Sequence, residues 1–563
     1  MSPPPRNPPP PPLRLVALGG LGEIGMNLMV YEYDGQFLMV DCGLTFPTID
    51  TPGVDVILPD TQFLEEHADR VVGLVLTHGH EDHIGAIPYI WPRFHCPIYG
   101  TPMTLGILEG KLREHDLLDH APLRQVLPRQ KSQIGPFSVL FIQVTHSIID
   151  GVSLAITTPV GTVVHTGDFK IDHTPVDGRP TDLYTLAHLG EQGVLALLSD
   201  STNVKKPGAS LSESSIRAAL EEVFPQAQGL LIVATFSSNI QRIQQVMDVA
   251  AVCGRKVLLN GRSMINNVAV ARQLGYLRVP PDTLIDLRQL KDLPRHKVLV
   301  LSTGSQGEHN SSLVRIALGE HKEIQVQPGD MVVLSSKQIP GNERAIESLI
   351  NLLFRGGVRV VHEDVSEVHV SGHGSQEDLR LMLALTRPRF FIPIHGEIQH
   401  LTLHAELAVG MGLAKNNVLV VENGQRVELG PDSIRILDQV PHGRMFVDGK
   451  GVGDVGDIVL RDRRHLAEDG MVVVVMVVAS HTGELLQGPE LLTRGVMYED
   501  GNQNLLEQAK DSVLQALKAG PKAMDFGEDE NVGPEDLAIR ALRRFFKKRL
   551  GRRPVVLPLV VEM

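Results

Sequence analysis

The chain has 563 residues, enough for about three or four domains, and its 42% hydrophobic and 21% charged residues are ordinary for a globular α/β protein. Its longest uninterrupted apolar run, residues 471–479, is far too short to cross a bilayer, so we expect no membrane segment. Three widely spaced cysteines give no disulfide framework and favour a cytoplasmic protein, while a formal net charge of −13 excludes a generally basic surface but not a local basic channel.

The Pro-rich segment 1–12 is expected to be a disordered or polyproline II tail. Residues 13–18 predict a strand, and the glycines at 20–25 match the spacing of a dinucleotide-binding loop. We reject that interpretation, because such a loop must open a helix, whereas residues 27–40 predict a β-hairpin that turns at Asp-Gly. The glycines instead favour close approach of the backbone to another part of the chain.

Residues 71–76 predict a buried strand that runs directly into the segment 77–85, Thr-His-Gly-His-Glu-Asp-His-Ile-Gly. This segment holds four potential metal ligands within six residues: His78, His80, Asp82 and His83. Imidazole and carboxylate are the usual ligands of zinc and related divalent ions. Histidines and carboxylates rarely cluster in this way as ordinary core or surface residues, so the segment predicts a metal site.

Three further strand-like runs end in a residue of the same chemistry. These residues are Asp41 after 36–40, His146 after 137–144 and Asp168 after 162–165. Each is weak evidence alone, but their repetition predicts that one edge of a sheet collects the ligands. Asp41 could orient a ligand histidine through a hydrogen bond to the ring nitrogen that does not bind the metal. A purely structural role, in which Asp41 caps a turn, is an equally good interpretation.

The order of these residues resembles the metallo-β-lactamase superfamily over roughly the first 200 residues. The resemblance implies an αββα sandwich with a site for two metal ions at its edge. The implied ligands are His78, His80 and His146 for one metal, Asp82 and His83 for the second, and Asp168 for both. Zn²⁺ is the favoured ion, and Mn²⁺ fits the same ligand types.

Residues 206–360 alternate strands and helices and predict a second α/β domain with parallel strands. The predicted strands are 229–234, 256–259, 297–301 and 331–334, and the predicted helices include 214–223 and 240–251. The loops after these strands are small and polar. Ser237 and Ser238 are candidate phosphate contacts, although a plain turn explains each loop as well.

Asp200, His373 and His395 resemble three further motifs of the β-CASP nucleases, in which a second domain is inserted into the metallo-β-lactamase domain. His395 would complete the shell of the second metal, and a histidine there resembles the RNA-processing branch. Over essentially all of the chain after residue 12, the overall resemblance is to the bacterial ribonuclease J family. The predicted boundaries are 13–205 and 361–446 for the two parts of the metallo-β-lactamase domain, 206–360 for the β-CASP domain, 447–464 for a linker and 465–563 for a C-terminal domain.

The C-terminal domain is predicted to contain strands at 471–479 and 555–561 and helices at 504–519 and 534–550. The second helix is strongly basic towards its end. This indicates either an RNA-contacting or subunit-contacting surface, or a solvated helix end whose charges suit the helix dipole. The resemblance favours a domain that supports a homodimer or homotetramer.

The resemblance implies a metal-dependent ribonuclease of RNA maturation and decay. It would be a 5′→3′ exonuclease that prefers 5′-monophosphate RNA, with additional endonuclease activity. The candidate catalytic residues are Asp82, Asp200 and His373, with His373 as general acid; the candidate phosphate contacts are His369, Ser371, Gly372 and His373. Single-stranded RNA is the expected partner, with other RNA-decay proteins as further candidates.

Two other functions stay open at this point. A thioester or lactone hydrolase would share the metal site, but the long inserted domain and the motifs at His373 and His395 argue against it. A non-catalytic RNA-binding scaffold is the other, and the complete ligand set argues against that.

Overall fold

The computed structural model describes residues 10–48, 50–308, 310–339, 341–363, 365–449, 451–453, 455–482, 484–497, 502–520 and 532–563. Most of the predicted tail, residues 1–9, lies outside this range. Within the described ranges, every helix is too short or too polar to traverse a bilayer.

The strands of the described residues are, in chain order, β1 (Leu13–Gly19), β2 (Leu21–Gly22), β3 (Leu28–Tyr33), β4 (Gln36–Val40), β5 (Val56–Pro59), β6 (Val71–Val75), β7 (Ile98–Gly100), β8 (Leu123–Gln125), β9 (Lys131–Ile134), β10 (Phe137–Gln143), β11 (Val152–Thr158), β12 (Gly161–His165), β13 (Ala196–Asp200), β14 (Leu231–Ala234), β15 (Lys256–Asn260), β16 (Leu284–Ile285), β17 (Val298–Ser302), β18 (Met331–Leu334), β19 (Arg359–Val361), β20 (Phe390–Ile394), β21 (Gly396–Glu397), β22 (Gln425–Leu429), β23 (Ile434–Gln439), β24 (Arg444–Asp448), β25 (Gly451–Val452), β26 (Met471–Val478), β27 (Leu485–Arg494) and β28 (Val555–Glu562).

The helices of the same residues are α1 (Gln62–Glu65), α2 (Glu81–Ile84), α3 (Ile87–Ile90), α4 (Pro102–Glu114), α5 (Leu183–Gln192), α6 (Ile216–Val223), α7 (Ile240–Val252), α8 (Arg262–Gln273), α9 (Ser312–Ala317), α10 (Glu343–Arg355), α11 (Gln376–Thr386), α12 (Ile398–Gly410), α13 (Asp457–Asp469), α14 (Gln503–Ala519) and α15 (Pro534–Leu550).

Two sheets pack face to face and form a sandwich. One has the strand order β23-β22-β1-β3-β4-β6-β7-β8 and the other β20-β13-β12-β11-β10-β9. Their shared core includes Tyr31 and Leu38 from the first sheet and Phe141, Leu154 and Ile392 from the second. Helices α5, α11 and α12 cover the outer face of the second sheet, and the predicted αββα fold class is confirmed.

The glycine-rich segment after β1 opens no helix, which confirms that it is not a dinucleotide-binding loop. The predicted hairpin is formed by β3 and β4 instead. Gly20, Gly22 and Gly25 all have positive φ, which glycine adopts at little cost. Within this segment β2 pairs with β21, so the glycines bring the backbone beside the residues that follow His395.

The inserted domain is a parallel sheet with the order β16-β15-β17-β14-β18-β19. Helices α6, α7 and α8 cover one face, and α9 and α10 cover the other. The apolar runs of β14, β17 and β18 are buried along their whole length, as expected for strands covered on both sides. The prediction of parallel strands in this segment is confirmed.

The insertion leaves the sandwich after β13 and returns at β20. These two strands are parallel neighbours, with Ala196 opposite Phe390 and Asp200 opposite Ile394. Parallel neighbours end at the same edge of a sheet, so residues about 195 positions apart in sequence, such as Asp200 and His395, meet there.

A second compact unit contains residues 46–56 and 446–563. Its sheet has the order β27-β26-β28, and α14 and α15 pack on it around Val474, Val513, Leu542 and Phe546. The predicted helices and apolar strands of this segment are present, whereas β27 was not predicted. The predicted linker at 447–464 contains β25 and the first part of α13.

Candidate metal centre

The predicted ligands follow the ends of neighbouring strands. The segment after β6 carries the histidine cluster, β10 is followed by His146, and β12 by Asp168. His395 directly follows β20 and adopts φ +54. Asp41 follows β4 and adopts φ +61. A left-handed backbone conformation at a non-glycine residue costs free energy and persists only where the surrounding contacts enforce it. Two such residues in one site are typical of functional sites.

The first group of ligand atoms consists of three imidazoles and one carboxylate: His78, His80, His146 and Asp168. His80 Nδ1 lies 3.0 Å from His78 Nε2 and 3.1 Å from His146 Nε2. The same two Nε2 atoms each lie 3.7 Å from Asp168 Oδ2. Three ring nitrogens and an oxygen therefore converge on one small volume, the donor set that a tetrahedral zinc ion takes.

The second group shares the carboxylate with the first and consists of Asp82, His83, Asp168 and His395. Asp168 Oδ2 lies 3.3 Å from His83 Nε2 and 3.3 Å from His395 Nε2. Asp82 Oδ2 is 3.6 Å from His83 Nε2 and 3.8 Å from His395 Nε2. Because Asp168 belongs to both groups, the geometry offers two cation sites with a common ligand.

The electrostatics of the site fit divalent cations. Burial lowers the pKa values of His78, His80 and His146, that of His80 to about 4, so these imidazoles are neutral and keep lone pairs to donate. Burial alone would lower the pKa of His395, but Asp168 outweighs it and raises the pKa to about 9. Asp168 Oδ1 is buried without a hydrogen-bond partner. A buried carboxylate that attracts positive charge and has an unused oxygen fits a bridging ligand.

Asp41 lies behind the histidine cluster and binds it through hydrogen bonds. Its Oδ1 accepts from Thr77 N and its Oδ2 from Thr77 Oγ1, both at 2.8 Å. Oδ2 also lies 2.8 Å from His83 Nδ1. With the carboxylate as acceptor, His83 Nδ1 carries a proton, which leaves Nε2, the atom that faces Asp168, as the one that could bind a cation.

A third group adjoins the first two and contains Asp168, Asp200, His373 and His395. His373 Nδ1 lies 2.8 Å from Asp200 Oδ2 and 3.9 Å from Asp168 Oδ2. Burial would lower the pKa of His373, but Asp200 outweighs burial and raises it. The Asp200 carboxylate therefore favours the protonated form of the His373 imidazole beside the two candidate cation sites.

The segment 369–373 directly contacts one of the candidate ligands, His146. The carbonyl of Gly372 lies 2.8 Å from His146 Nδ1. A Cβ at residue 372 would lie 2.7 Å from both His146 Cε1 and Ser147 Oγ, so only glycine permits this approach. Asn203 Nδ2 donates to Ser371 Oγ at 2.7 Å and to the His373 carbonyl at 2.8 Å.

The remaining predicted phosphate contacts differ in their surroundings. Both ring nitrogens of His369 are buried without a hydrogen-bond partner. Ser237 and Ser238 follow β14, and Ser237 Oγ accepts a hydrogen bond from Asn267 at 3.2 Å. None of the three groups of potential ligands found among the described residues contains either serine.

Asn203 was not among the predicted site residues, although it belongs to the Asp-Ser-Thr-Asn segment that begins at Asp200. Thr202 N and Oγ1 both donate to Asp200 Oδ1, at 2.9 and 2.7 Å. The amides and hydroxyls beside a candidate catalytic Asp were the available indication, because such groups commonly fix its orientation.

The fold and the donor set together define a metallo-hydrolase of the metallo-β-lactamase superfamily with an inserted β-CASP domain. Four family models match successive parts of the chain. They are the metallo-β-lactamase superfamily (residues 22–205), the ribonuclease J β-CASP domain (228–353), the Zn-dependent metallo-hydrolase RNA specificity domain (357–421) and the ribonuclease J C-terminal domain (458–563).

Curated relatives match over nearly the whole chain. Ribonuclease J 1 of Streptococcus pyogenes is 41% identical over 545 residues, covering 97% of each chain. Ribonuclease J of Synechocystis is 45% identical, covering 97% of this chain and 86% of the relative. Ribonuclease J of Thermus thermophilus is 41% identical, covering 98% and 95%. The chain therefore belongs to the ribonuclease J family and is a hydrolase of the nuclease class.

A solved structure supports the fold alone. It is a protein of unknown function from Enterococcus faecalis, 18% identical with a TM-score of 0.53, and the match covers 74% of this chain and 100% of that one.

Proposed function

We propose that this chain hydrolyses the phosphodiester bonds of single-stranded RNA at a two-metal centre, mainly as a 5′→3′ exonuclease that prefers a 5′-monophosphate end, with additional endonuclease activity. The observation that carries the proposal is the pair of ligand groups that share Asp168, with the Asp200–His373 pair beside them. Family membership supports a ribonuclease over a thioester hydrolase or a scaffold without activity.

In this proposal His78, His80 and His146 hold one cation, Asp82, His83 and His395 hold the other, and Asp168 contacts both. Zn²⁺ is favoured, because three imidazoles dominate the first group, and Mn²⁺ is the alternative. Two divalent cations, when bound, lower the pKa of water and offset negative charge on the phosphate. Metal analysis of the purified chain distinguishes the two ions.

The residues of the chain supply the proton chemistry. A water molecule that has lost one proton to solvent attacks through its oxygen, which forms a new bond to phosphorus, and the bond from phosphorus to the 3′-oxygen breaks. His373 donates a proton to that leaving oxygen from Nε2, because Asp200 holds its Nδ1 at 2.8 Å. Asp82, whose side chain is 30% exposed, lies on the open side of the cluster and orients the attacking water.

The test compares one RNA sequence carrying a 5′-monophosphate, a 5′-triphosphate or a 5′-hydroxyl, with the same sequence as DNA. We expect mononucleotides to appear first from the monophosphate RNA. Asp82→Ala and His83→Ala should abolish cleavage. Near wild-type cleavage by these variants would overturn the metal assignment, and internal cuts that are indifferent to the 5′ end would overturn the exonuclease assignment.

The C-terminal unit offers a surface for self-association. One face of its sheet packs on α14 and α15, while the strand positions of the opposite face include Leu557, Leu559 and Val561 of β28, which are 46%, 52% and 47% exposed. Leu492 of β27, opposite Val473 in the register, is 60% exposed on the same face. Contiguous exposed apolar residues of this kind mark protein–protein contacts, so we assign the homo-oligomer contact to this face.

Leu559→Arg tests this assignment, because it places a charge in the centre of the face. We expect light scattering to show smaller assemblies for this variant. Leu287→Arg is the matched control, because Leu287 is a 42% exposed leucine of the inserted domain. An unchanged mass for Leu559→Arg would contradict the assignment.

A further inference from the structure

The end of helix α15, in the C-terminal unit, carries a dense group of exposed positive charges. Residues 543–553 contain seven lysines and arginines and no acidic residue, in a chain whose net charge is −13. The helix packs on the sheet of its unit through an apolar stripe that includes Leu542 and Phe546. Four cations of the last two to three turns are exposed, and we call them the basic surface: Arg543, Arg544, Lys547 and Lys548.

The basic surface has no counter-ions among the described residues. No ion pair of the described part of the chain includes any of its four side chains. By contrast, Lys510 of α14, in the same unit, is paired with Glu490 at 2.9 Å and with Glu507 at 3.2 Å. Each arginine of the basic surface also lies four residues before a lysine on the same helix, and like charges at this spacing destabilise a helix. The free protein therefore keeps a repulsion that a bound polyanion would relieve.

The helix dipole accounts for only part of this charge. Cations stabilise the C-terminus of a helix within its last turn, where α15 has Lys547, Lys548 and Arg549. Arg543 and Arg544 precede that turn, so the dipole gives no reason for their charge. A ligand that binds along the exposed side of the helix gives one reason for both arginines and both lysines.

The surroundings of the basic surface favour the backbone of a nucleic acid over a membrane or a base. The apolar side of α15 is buried against the sheet and leaves no face for insertion into lipid. Phe545 and Phe546 pack against the hydrophobic core of the unit rather than presenting their rings to bases. Guanidinium and ammonium groups bind phosphate oxygens through charge-assisted hydrogen bonds.

We propose that the basic surface binds the phosphate backbone of single-stranded RNA and thereby raises the affinity of the chain for long substrates. The proposal rests on the proposed function, which makes RNA the substrate. A net charge of −13 repels a polyanion, so a local group of positive charges is needed to hold one. The contact reads no sequence, because the phosphate groups of every RNA are alike. It lies on the α15 side of the sheet, opposite to the face that we assign to self-association, so the two contacts do not compete.

The first experiment measures RNA binding without cleavage, in the full chain carrying Asp82→Ala. Fluorescence anisotropy follows an oligoadenylate and an oligouridylate over a series of salt concentrations, each about 40 nucleotides long, which exceeds the about 4–16 nucleotides that one binding domain usually covers. The fourfold variant carries Arg543→Gln, Arg544→Gln, Lys547→Gln and Lys548→Gln. Its slope of log affinity against log salt should be smaller by about 3, because each phosphate contact with a single strand contributes about 0.7.

The loss of affinity should be the same for both RNAs, because phosphate contacts do not depend on the base. At about 0.1 M salt we expect the fourfold variant to bind either RNA about 10-fold to 100-fold more weakly than the parent chain. Glutamine is a good helix former, so the helix should be retained. Unchanged affinity and an unchanged salt slope would overturn the proposal, and a loss confined to one of the two sequences would contradict a backbone contact.

Two matched proteins distinguish a local contact from a change in net charge. Arg543→Lys with Arg544→Lys keeps the four charges and should keep most of the salt slope. The charge control replaces four exposed cations of the inserted domain: Arg315→Gln, Lys322→Gln, Arg344→Gln and Arg355→Gln. It changes the net charge as much as the fourfold variant does, and it should bind RNA as the parent chain does. An equal loss in the charge control would contradict the basic surface.

Light scattering and thermal melting test the two other interpretations of this helix. An unchanged mass and an unchanged Tm, together with weaker RNA binding, support the RNA contact. Smaller assemblies with unchanged RNA binding would make the basic surface a contact between protein subunits. A lower Tm with unchanged RNA binding would make its charges a structural feature, and either of these results would overturn the proposal.

Cleavage assays separate this proposal from the proposed function. With Asp82 intact, the fourfold variant should raise the KM for the long RNA about 10-fold or more while kcat changes little, because the lost contact acts on binding. If the variant keeps the wild-type affinity and KM, the basic surface fails and the nuclease assignment stands. If the wild-type chain cleaves no RNA but the fourfold variant still loses RNA binding, the proposed function fails and the basic surface stands.

Discussion

Replacing Asp41 by Asn should weaken the binding of one of the two proposed cations and leave that of the other unchanged. The carboxylate accepts hydrogen bonds from Thr77 N on Oδ1 and from Thr77 Oγ1 and His83 on Oδ2. An amide has only one acceptor oxygen. If its NH₂ group takes the Oδ1 position, it faces the Thr77 N–H; if it takes the Oδ2 position, it faces His83 Nδ1–H.

The second orientation forces the His83 proton onto Nε2, the atom that lies 3.3 Å from Asp168 and would bind the second cation. A hydrogen bond to a charged group is worth about 1.5–3 kcal/mol, which corresponds to a loss of about 10-fold to 100-fold in affinity. Loss of a carboxylate behind a ligand histidine typically costs about 10-fold to 100-fold in metal affinity, so the two figures agree.

The assay is a chelator titration of the metal-loaded chain, followed by metal analysis. Asp41→Asn should release one equivalent at about 10-fold to 100-fold lower chelator concentration, and the cation held by His78, His80 and His146 should follow the wild-type curve. Asp330→Asn is the control, because Asp330 is equally buried and accepts from Leu230 N at 2.7 Å in the inserted domain. Release of both equivalents at the wild-type chelator concentration would refute the reasoning.

Gly372→Ala should displace the His146 ring, because its Cβ would lie 2.7 Å from it, and we expect at least about a 10-fold loss of cleavage with lower metal retention. Gly410→Ala, with no neighbouring atom within 4 Å, is the control, and equal activity of the two variants would contradict the argument. Burial raises the pKa of Asp150 from 3.8 to about 6, so the folded protein binds a proton at this carboxylate more tightly than the unfolded chain does. The free energy of unfolding therefore falls as the pH rises between these two values, by on the order of 3 kcal/mol. Urea denaturation of Asp150→Asn should show its unfolding free energy rising relative to wild type from about pH 4 to about pH 7, whereas a constant difference would contradict the sign.

The sequence by itself determined the elements whose pattern is local. The hairpin of β3 and β4 turns at Asp-Gly, and the strands β14, β15, β17 and β18 are continuous apolar runs. The hydrophobic pattern and the turn residues were therefore sufficient to predict these elements. Strand β27 was missed, because Gly488 and Pro489 interrupt it and these residues usually argue against a strand. Helix α13 was missed, because it directly follows the glycine-rich segment 449–456.

Ligand chemistry was also accessible from the sequence, because imidazoles and carboxylates at strand ends are visible as a motif. Only the tertiary structure decided which of these imidazoles and carboxylates lie close enough together to bind the same cation. Pairing of β13 with β20 brings Asp200 and His395 to one edge, and the missing side chain of Gly372 lets a carbonyl reach His146.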